Sequence, residues 1–294
     1  MSYPCRHVIN NGSRTMRNAK GQSKVGVFID GENIRRNGGY RMQYDVLRDF
    51  ACRDGGLPQR LNTYLAYDQR RAENDVQYMR RELNFQMSVR DNGYKVTQKI
   101  VRWYQDEAGE WRSKANADLD LAVDMLLQSE NLDRVLLATG DGDFVRVISA
   151  LQSRGIRVEV VACENVSRDL RREADLFLSG YLIPGLVPFS DASASTDTVW
   201  GEVGSRVRGI CHFHKSGYGF MRYLSTVSDN LWQTDSRDPE SPYETVFFND
   251  SDLPSEVEAQ ALPSREHVFE FTIAEPRSEG EAHQATDISL IHRL

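Results

Sequence analysis

Val25-Gly26-Val27-Phe28-Ile29-Asp30-Gly31-Glu32-Asn33 is a short apolar run that ends in a carboxylate, a glycine and an asparagine. Its β-branched residues favour a buried strand, it is too short for a core helix, and Gly31 breaks it. In an open parallel α/β sheet, ligands meet the carboxyl ends of the strands, which puts Asp30 where chemistry is expected. The same Asp is also an ordinary N-cap for a following helix. A second buried run, Val135 to Ala138, leads into Thr139-Gly140-Asp141-Gly142-Asp143-Phe144. Two parallel strands that each deliver acid at the C-terminal end suggest one shared acidic site.

Between and after these runs, strand and helix patterns alternate. Helical spacing covers 40–53, 72–91, 117–129, 143–153 and 167–175; strand patterns cover 61–67, 134–138, 156–162 and 176–182, with a β-rich stretch at 94–104. Gly109, between Trp103-Tyr104 and Trp111, suggests a hairpin or flap. This alternation implies right-handed crossovers and an α/β fold: a mostly parallel sheet with helices on both faces. Residues 1–23 are polar and aperiodic and are expected to be a disordered tail. Pro184, Pro188 and the Ser/Ala-rich stretch 190–196 place a linker over 184–203. After it the helical pattern stops. Short strand patterns at 203–224, 243–249, 267–274 and 284–292 point to a small all-β barrel over 204–294, with a polar, acidic insertion between Leu224 and Tyr243.

The 294 residues suffice for two domains. No apolar run approaches the ~18 to 20 residues of a membrane span, and the basic N-terminus has no apolar segment of the secretory type, so no membrane association and a cytoplasmic setting are expected. Cys5, Cys52, Cys163 and Cys211 are scattered without CxxC spacing, which argues against a structural zinc site. The net charge of −7 is uneven: residues 190–294 hold 8 basic and 18 acidic side chains, −10, which leaves +3 for residues 1–189. By charge, the N-terminal part is the better polyanion binder, and the acidic C-terminal part suits a protein partner or a homo-oligomer contact.

The candidate acids are Asp30, Asp118, Asp141 and Asp143. Gathered carboxylates repel one another and are tolerated around a hard divalent cation, Mg²⁺ or Mn²⁺, that takes oxygen ligands and pairs with phosphate. The chemistry implied is phosphodiester hydrolysis, with Asn33 placed to order a water or a phosphate. On the 117–129 helix, at about 100° per residue, Asp118 shares a face with Ala122 and Met125 while Asp120 and Asp124 face the other way. Asp118 also serves as helix N-terminal charge complementarity, and Asp141 and Asp143 as turn and cap residues.

Val27-Phe28-Ile29-Asp30-Gly31-Glu32-Asn33 resembles the opening motif of the NYN domain, in the LabA-like branch of the PIN-like nuclease superfamily. Lys114-Ala115-Asn116-Ala117-Asp118 is similar to that family's second motif, although three residues separate the Lys and the Asp where the family usually has a tighter spacing. Thr139-Gly140-Asp141-Gly142-Asp143-Phe144 is similar to its third. The resemblance covers 24–183 and implies a metal-dependent ribonuclease, an endoribonuclease-type hydrolase, with Asp30, Asp118, Asp141 and Asp143 as catalytic metal ligands and Asn33 and Lys114 toward substrate.

Val207 to Met221, with its Gly217-Tyr218-Gly219-Phe220 core, resembles the first strands of a cold-shock domain of OB type, and Glu244-Thr245-Val246-Phe247-Phe248-Asn249 is similar to its second motif. Phe213 stands in place of that family's usual Trp, and Asn249 in place of a common His. Strand alternation exposes Phe213, Tyr218 and Phe220, with Phe248 expected to join them and Lys215 beside them for phosphate. Such a face stacks single-stranded bases. The expectation is an RNA-processing protein acting on single-stranded RNA. The alternative is a non-catalytic RNA-binding or regulatory protein whose acids bind metal without turnover.

Overall fold

The computed structural model describes residues 22–105, 109–114, 117–189 and 198–293. The expected 1–23 tail and the middle of the expected linker, residues 190–197, lie almost wholly outside them. The first unit is a six-stranded sheet in the order β3-β2-β1-β6-β7-β8. Its strands are β1 (Lys24–Asp30), β2 (Leu57–Tyr67), β3 (Lys95–Ile100), β6 (Arg134–Ala138), β7 (Arg157–Ala162) and β8 (Leu176–Ser179). Every neighbouring pair is parallel. β4 (Arg102–Gln105) and β5 (Trp111–Lys114) form the antiparallel hairpin expected around Gly109.

Alternation along β1 sorts its side chains onto two apolar faces. Val25, Val27 and Ile29 pack with Leu136 and Ala138 against Leu47 and Phe50 of α2 (Tyr44–Ala51). Phe28, Val135 and Leu137 pack on the other face against Leu121 and Met125 of α5 (Ala117–Gln128), Ile148 and Leu151 of α6 (Val145–Gln152) and Leu170 of α7 (Arg168–Glu173). At Gly26 a Cβ would lie 2.5 Å from Leu132 Cδ1 and 2.9 Å from the Phe28 ring, so a larger residue there must push these two side chains aside.

Three elements differ from the sequence expectation. A short helix, α1 (Gly31–Arg36), follows β1 directly. The long helix expected over 72–91 is two, α3 (Gln69–Asn74) and α4 (Val76–Asp91), because the Asp75 carboxylate accepts from Tyr78 N and starts a new helix. β2 starts at Leu57 in spite of Pro58, which pairs at the bottom of β1 where the register shifts.

The second unit is a closed barrel of β9 (Arg206–Lys215), β10 (Tyr218–Leu224), β11 (Tyr243–Asn249), β12 (His267–Ala274) and β13 (Gln284–Arg293), in the order β10-β11-β13-β12-β9. Val207, Met221, Tyr223, Val246, Phe269 and Phe271 fill it. The barrel packs on the α2 face of the sheet, where Leu224, Leu231 and Val268 join the sheet's own core. At the N-terminal ends of the strands, the buried carboxylate of Glu159 accepts from Arg53 Nη2 at 2.6 Å and Arg157 Nε at 2.8 Å. Burial alone would raise this carboxyl; Arg53, with Arg157 and Arg134, outweighs burial and holds it below the usual range. Asp229, from the acidic insertion of the barrel, lies 2.9 Å from Arg134 Nη2 and 3.3 Å from Arg53 Nε, so the insertion serves as a docking arm.

Candidate active site

The order of the sheet reverses between β1 and β6, and in an open parallel sheet the crevice at such a switch point is the ligand position. Ile29 pairs with Ala138 across it, so Asp30 and the Thr139-Gly140-Asp141 turn emerge side by side. Asp30 caps α1, its Oδ1 accepting from Asn33 N at 3.0 Å. Its Oδ2 accepts from Thr139 Oγ1 at 3.1 Å, and that oxygen in turn accepts from Asp141 N at 3.2 Å. Asn33 Oδ1 accepts from Gly140 N at 2.9 Å, a second tie between the two strand ends. Gly31 permits the approach: a Cβ there would sit 2.4 Å from Leu65 Cδ2 and 2.9 Å from Tyr64 O.

Asp30 is 4% exposed. Burial, opposed by the hydrogen bonds from Asn33 and Thr139 and assisted by the charges of Asp118 and Asp141, pushes its carboxyl up to about 6. Three of the four acids therefore share one electrostatic neighbourhood. Asp118 stands in the first turn of α5, half-buried beside the fully buried Leu121 and Met125. Asp143 does not join this group: its backbone N donates to the capping Asp141 Oδ1 at 2.9 Å and its side chain is exposed. Asp120 and Asp124 are occupied elsewhere, by Lys99 Nζ at 2.7 Å and Tyr64 O–H at 2.7 Å. Asp68 caps α3 and accepts from Trp103 Nε1. Lys114 ends β5, and its side chain lies outside the described residues. Among the described residues, no group of three or more His, Cys, Asp or Glu side chains is drawn together closely enough to form a ready-made ion cage. Thr139 is the residue that sequence reasoning passed over. Its signal was its place in the turn, where a hydroxyl on the residue just after the strand reaches the neighbouring strand end.

A profile of the NYN domain family matches residues 24–183. The chain belongs to the NYN domain family. Low amplitude and bright protein LabA of Synechococcus elongatus is similar to this chain at 29% identity over 163 residues, 53% of this chain and 83% of that protein. The crystal structure of a protein of unknown function from Vibrio parahaemolyticus is similar at 22% identity and a TM-score of 0.45, over 55% of this chain and 96% of that one. No helix among the described residues is long and apolar enough to cross a membrane.

Away from the NYN domain, the barrel carries an aromatic face. Phe213, 43% exposed, lies 6.0 Å from Phe220, and the Tyr218 ring stacks on Phe247 at 5.9 Å. The Arg277 guanidinium sits 6.0 Å over Phe247, and Lys215 is exposed at the end of β9. Phe248, expected on this face, points into the barrel at 1% exposure beneath Gly219, where a Cβ would be 2.5 Å from its ring. Phe247 takes its place. β11 is one residue out of phase with the expectation, and a one-residue slip exchanges the two faces of a strand.

Proposed function

We propose that this protein is a metal-dependent ribonuclease of the NYN family that cuts single-stranded RNA at the crevice between β1 and β6. The observation that carries the reading is a buried Asp30 whose carboxyl is raised by burial and by two neighbouring acids at the switch point of a parallel sheet. Perturbed acids in such a crevice mark functional sites, and an all-oxygen donor set suits Mg²⁺ or Mn²⁺. Mg²⁺ keeps several waters and takes substrate phosphate, so one or two of these acids can bind it directly and the rest through water. When bound, such an ion supplies charge neutralisation at the phosphate and a more acidic water. Asp30 and Asp118, with Asp141, would hold it. Asp141 is fixed by the Thr139 hydroxyl at its backbone, and Asn33 is fixed by Gly140 N, so the donors are oriented before substrate arrives. Asp143, exposed at the lip, is placed to meet solvent or substrate.

The barrel supplies the single-strand platform in this reading. Its closed five-stranded form and its Phe213, Tyr218, Phe220 and Phe247 face suit base stacking of the kind cold-shock domains use. The open acid spacing also favours a second reading, an RNA-binding protein that holds metal without turnover. Hydrolysis of a fluorogenic RNA with Mn²⁺ separates the two: Asp30→Asn and Asp118→Asn each lose at least a hundredfold in rate if the crevice cuts, and unchanged rates would sink the ribonuclease reading.

A further inference from the structure

The seam between the NYN domain and the barrel encloses a cleft of about 300 Å³, the small end of the range for small-molecule sites. Its walls come from both units: Tyr40 and Arg41 from the loop after α1, Glu164 after β7, Tyr181 and Phe189 after β8, and Arg208 on β9. Arg208 is fully engaged as wall. It donates to Glu270 Oε2, Val187 O and Pro188 O, and its guanidinium lies 4.7 Å over Phe189 and 5.4 Å over Tyr181. Arg41 is different. It is exposed, it is held at φ 72°, and among the described residues its guanidinium pairs with no carboxylate. Non-glycine residues rarely adopt that backbone, and where they do the position is worth a functional question. Tyr40 beside it is 68% exposed, a large ring with little fold to support. Glu164, which lines the cleft, accepts through Oε1 from Tyr181 O–H at 2.6 Å with His292 Nδ1 at 3.6 Å from the same oxygen, which orients the carboxylate and leaves Oε2 as a further acceptor.

We infer that this cleft holds one guanine nucleotide of the RNA strand. Phe189 and Tyr181 are covered by Arg208, so the ring left to meet the base is the exposed Tyr40; an uncommitted guanidinium suits its phosphate, and an oriented carboxylate accepts from the adjacent imino and amino N–H groups that a guanine edge presents. The cleft adjoins the acids. Glu164 N donates to Asn37 O at 3.0 Å, and Asn165 Nδ2 donates to Asn37 Oδ1 at 2.8 Å, at the end of the same α1 whose Asn33 holds Gly140. A nucleotide in the seam would thus set the register of the strand entering the β1/β6 crevice, and the barrel is needed to complete the site.

The inference rests on the ribonuclease reading only for the source of the nucleotide, so its test is read in EDTA, where cleavage plays no part. GMP binding to the full chain is measured by calorimetry, for wild type, Arg41→Asn (Asn tolerates positive φ), Glu164→Gln and Tyr40→Ala, with competition by a G-containing single-stranded RNA. Saturable GMP binding, weakened about tenfold or more by Arg41→Asn and by Glu164→Gln and displaced by the RNA, is the expected result. Absence of GMP binding, or binding that none of the three variants weakens, overturns it. GMP binding that the variants weaken but the RNA cannot displace also overturns it, and assigns the cleft to a free nucleotide. A chain that binds in this way but never cuts RNA contradicts the ribonuclease reading alone.

Discussion

Thr139 Oγ1 donates to Asp30 Oδ2 at 3.1 Å across 109 residues of sequence, joining the ends of β1 and β6 at the point where the sheet order reverses. The bond does two things. It satisfies one oxygen of a buried carboxylate, and by accepting from Asp141 N the same hydroxyl sets where the second acid stands.

Asp30 is expected to weaken the fold that holds it. Its folded-state pKa, about 6, lies above the ordinary 3.8, so the folded chain holds this proton more tightly than the unfolded chain. This group's contribution is therefore most favourable at low pH and is lost as pH rises from about 4 through about 6. Asp30→Asn removes that dependence and stabilises the metal-free protein at pH 7 by up to about 3 kcal/mol, at ~1.4 kcal/mol per pKa unit. Urea melts at pH 4.5 and pH 7 measure the difference. A variant less stable than wild type at pH 7 contradicts the burial argument.

Thr139→Val strips Asp30 Oδ2 and Asp141 N of their shared partner and costs about 1–3 kcal/mol, the usual cost of leaving buried polar groups unpaired. Because the lost hydrogen bond was one that lowers the Asp30 pKa, the variant's Asp30 titrates above wild type. Thr139→Ser restores both effects. Thermal melts and a carboxyl-resolved NMR titration report them, and a Ser variant no better than Val would count against the hydroxyl.

Gly31→Ala drives a methyl into Leu65 Cδ2 and Tyr64 O, so α1 must move off β2. Overpacking of this kind costs about 1–3 kcal/mol, and here it also moves α1 away from its Asp30 cap. Loss of divalent-ion protection in a thermal shift, larger than the stability loss alone explains, is the expected readout.

The neighbouring phenylalanines of β11 separate binding from folding. Phe247→Ala removes a ring of the exposed face and weakens single-stranded RNA binding by ~1–3 kcal/mol with little effect on the melt. Phe248→Ala empties the barrel core and costs about 3–5 kcal/mol of stability. Fluorescence anisotropy and chemical denaturation on both variants distinguish these effects, and equal effects on RNA binding at equal stability would remove the platform from the account.

What could be read in the sequence was set by local chemistry. The strand ends at Asp30 and Ala138 were legible because short β-branched runs stop at Gly-flanked acids, and the parallel α/β class followed from alternation. The helix Gly31–Arg36 was not, since six residues beginning with Gly carry no apolar periodicity and stand on the Asp30 cap. Asp141 and Asp143 look equivalent in Gly-Asp-Gly-Asp; only the turn, in which the Asp141 carboxylate caps Asp143 N, sets one near Asp30 and the other in solvent. The Phe247-Phe248 pair presents an aromatic to either face, so pattern alone could not choose the phase. The docking of the barrel through Asp229 to Arg53 and Arg134, and with it the seam cleft, depends on contacts across 95 residues or more that no local signal announces.

The β1/β6 crevice is proposed to cut RNA. The most direct measurement incubates a 5′-labelled single-stranded RNA with wild type and Asp141→Asn in Mn²⁺, Mg²⁺ or EDTA and resolves the products by length. Shortened products with metal and wild type, absent in EDTA and absent with Asp141→Asn, are the predicted result. Intact RNA under every condition, or equal cutting by the variant, would contradict it.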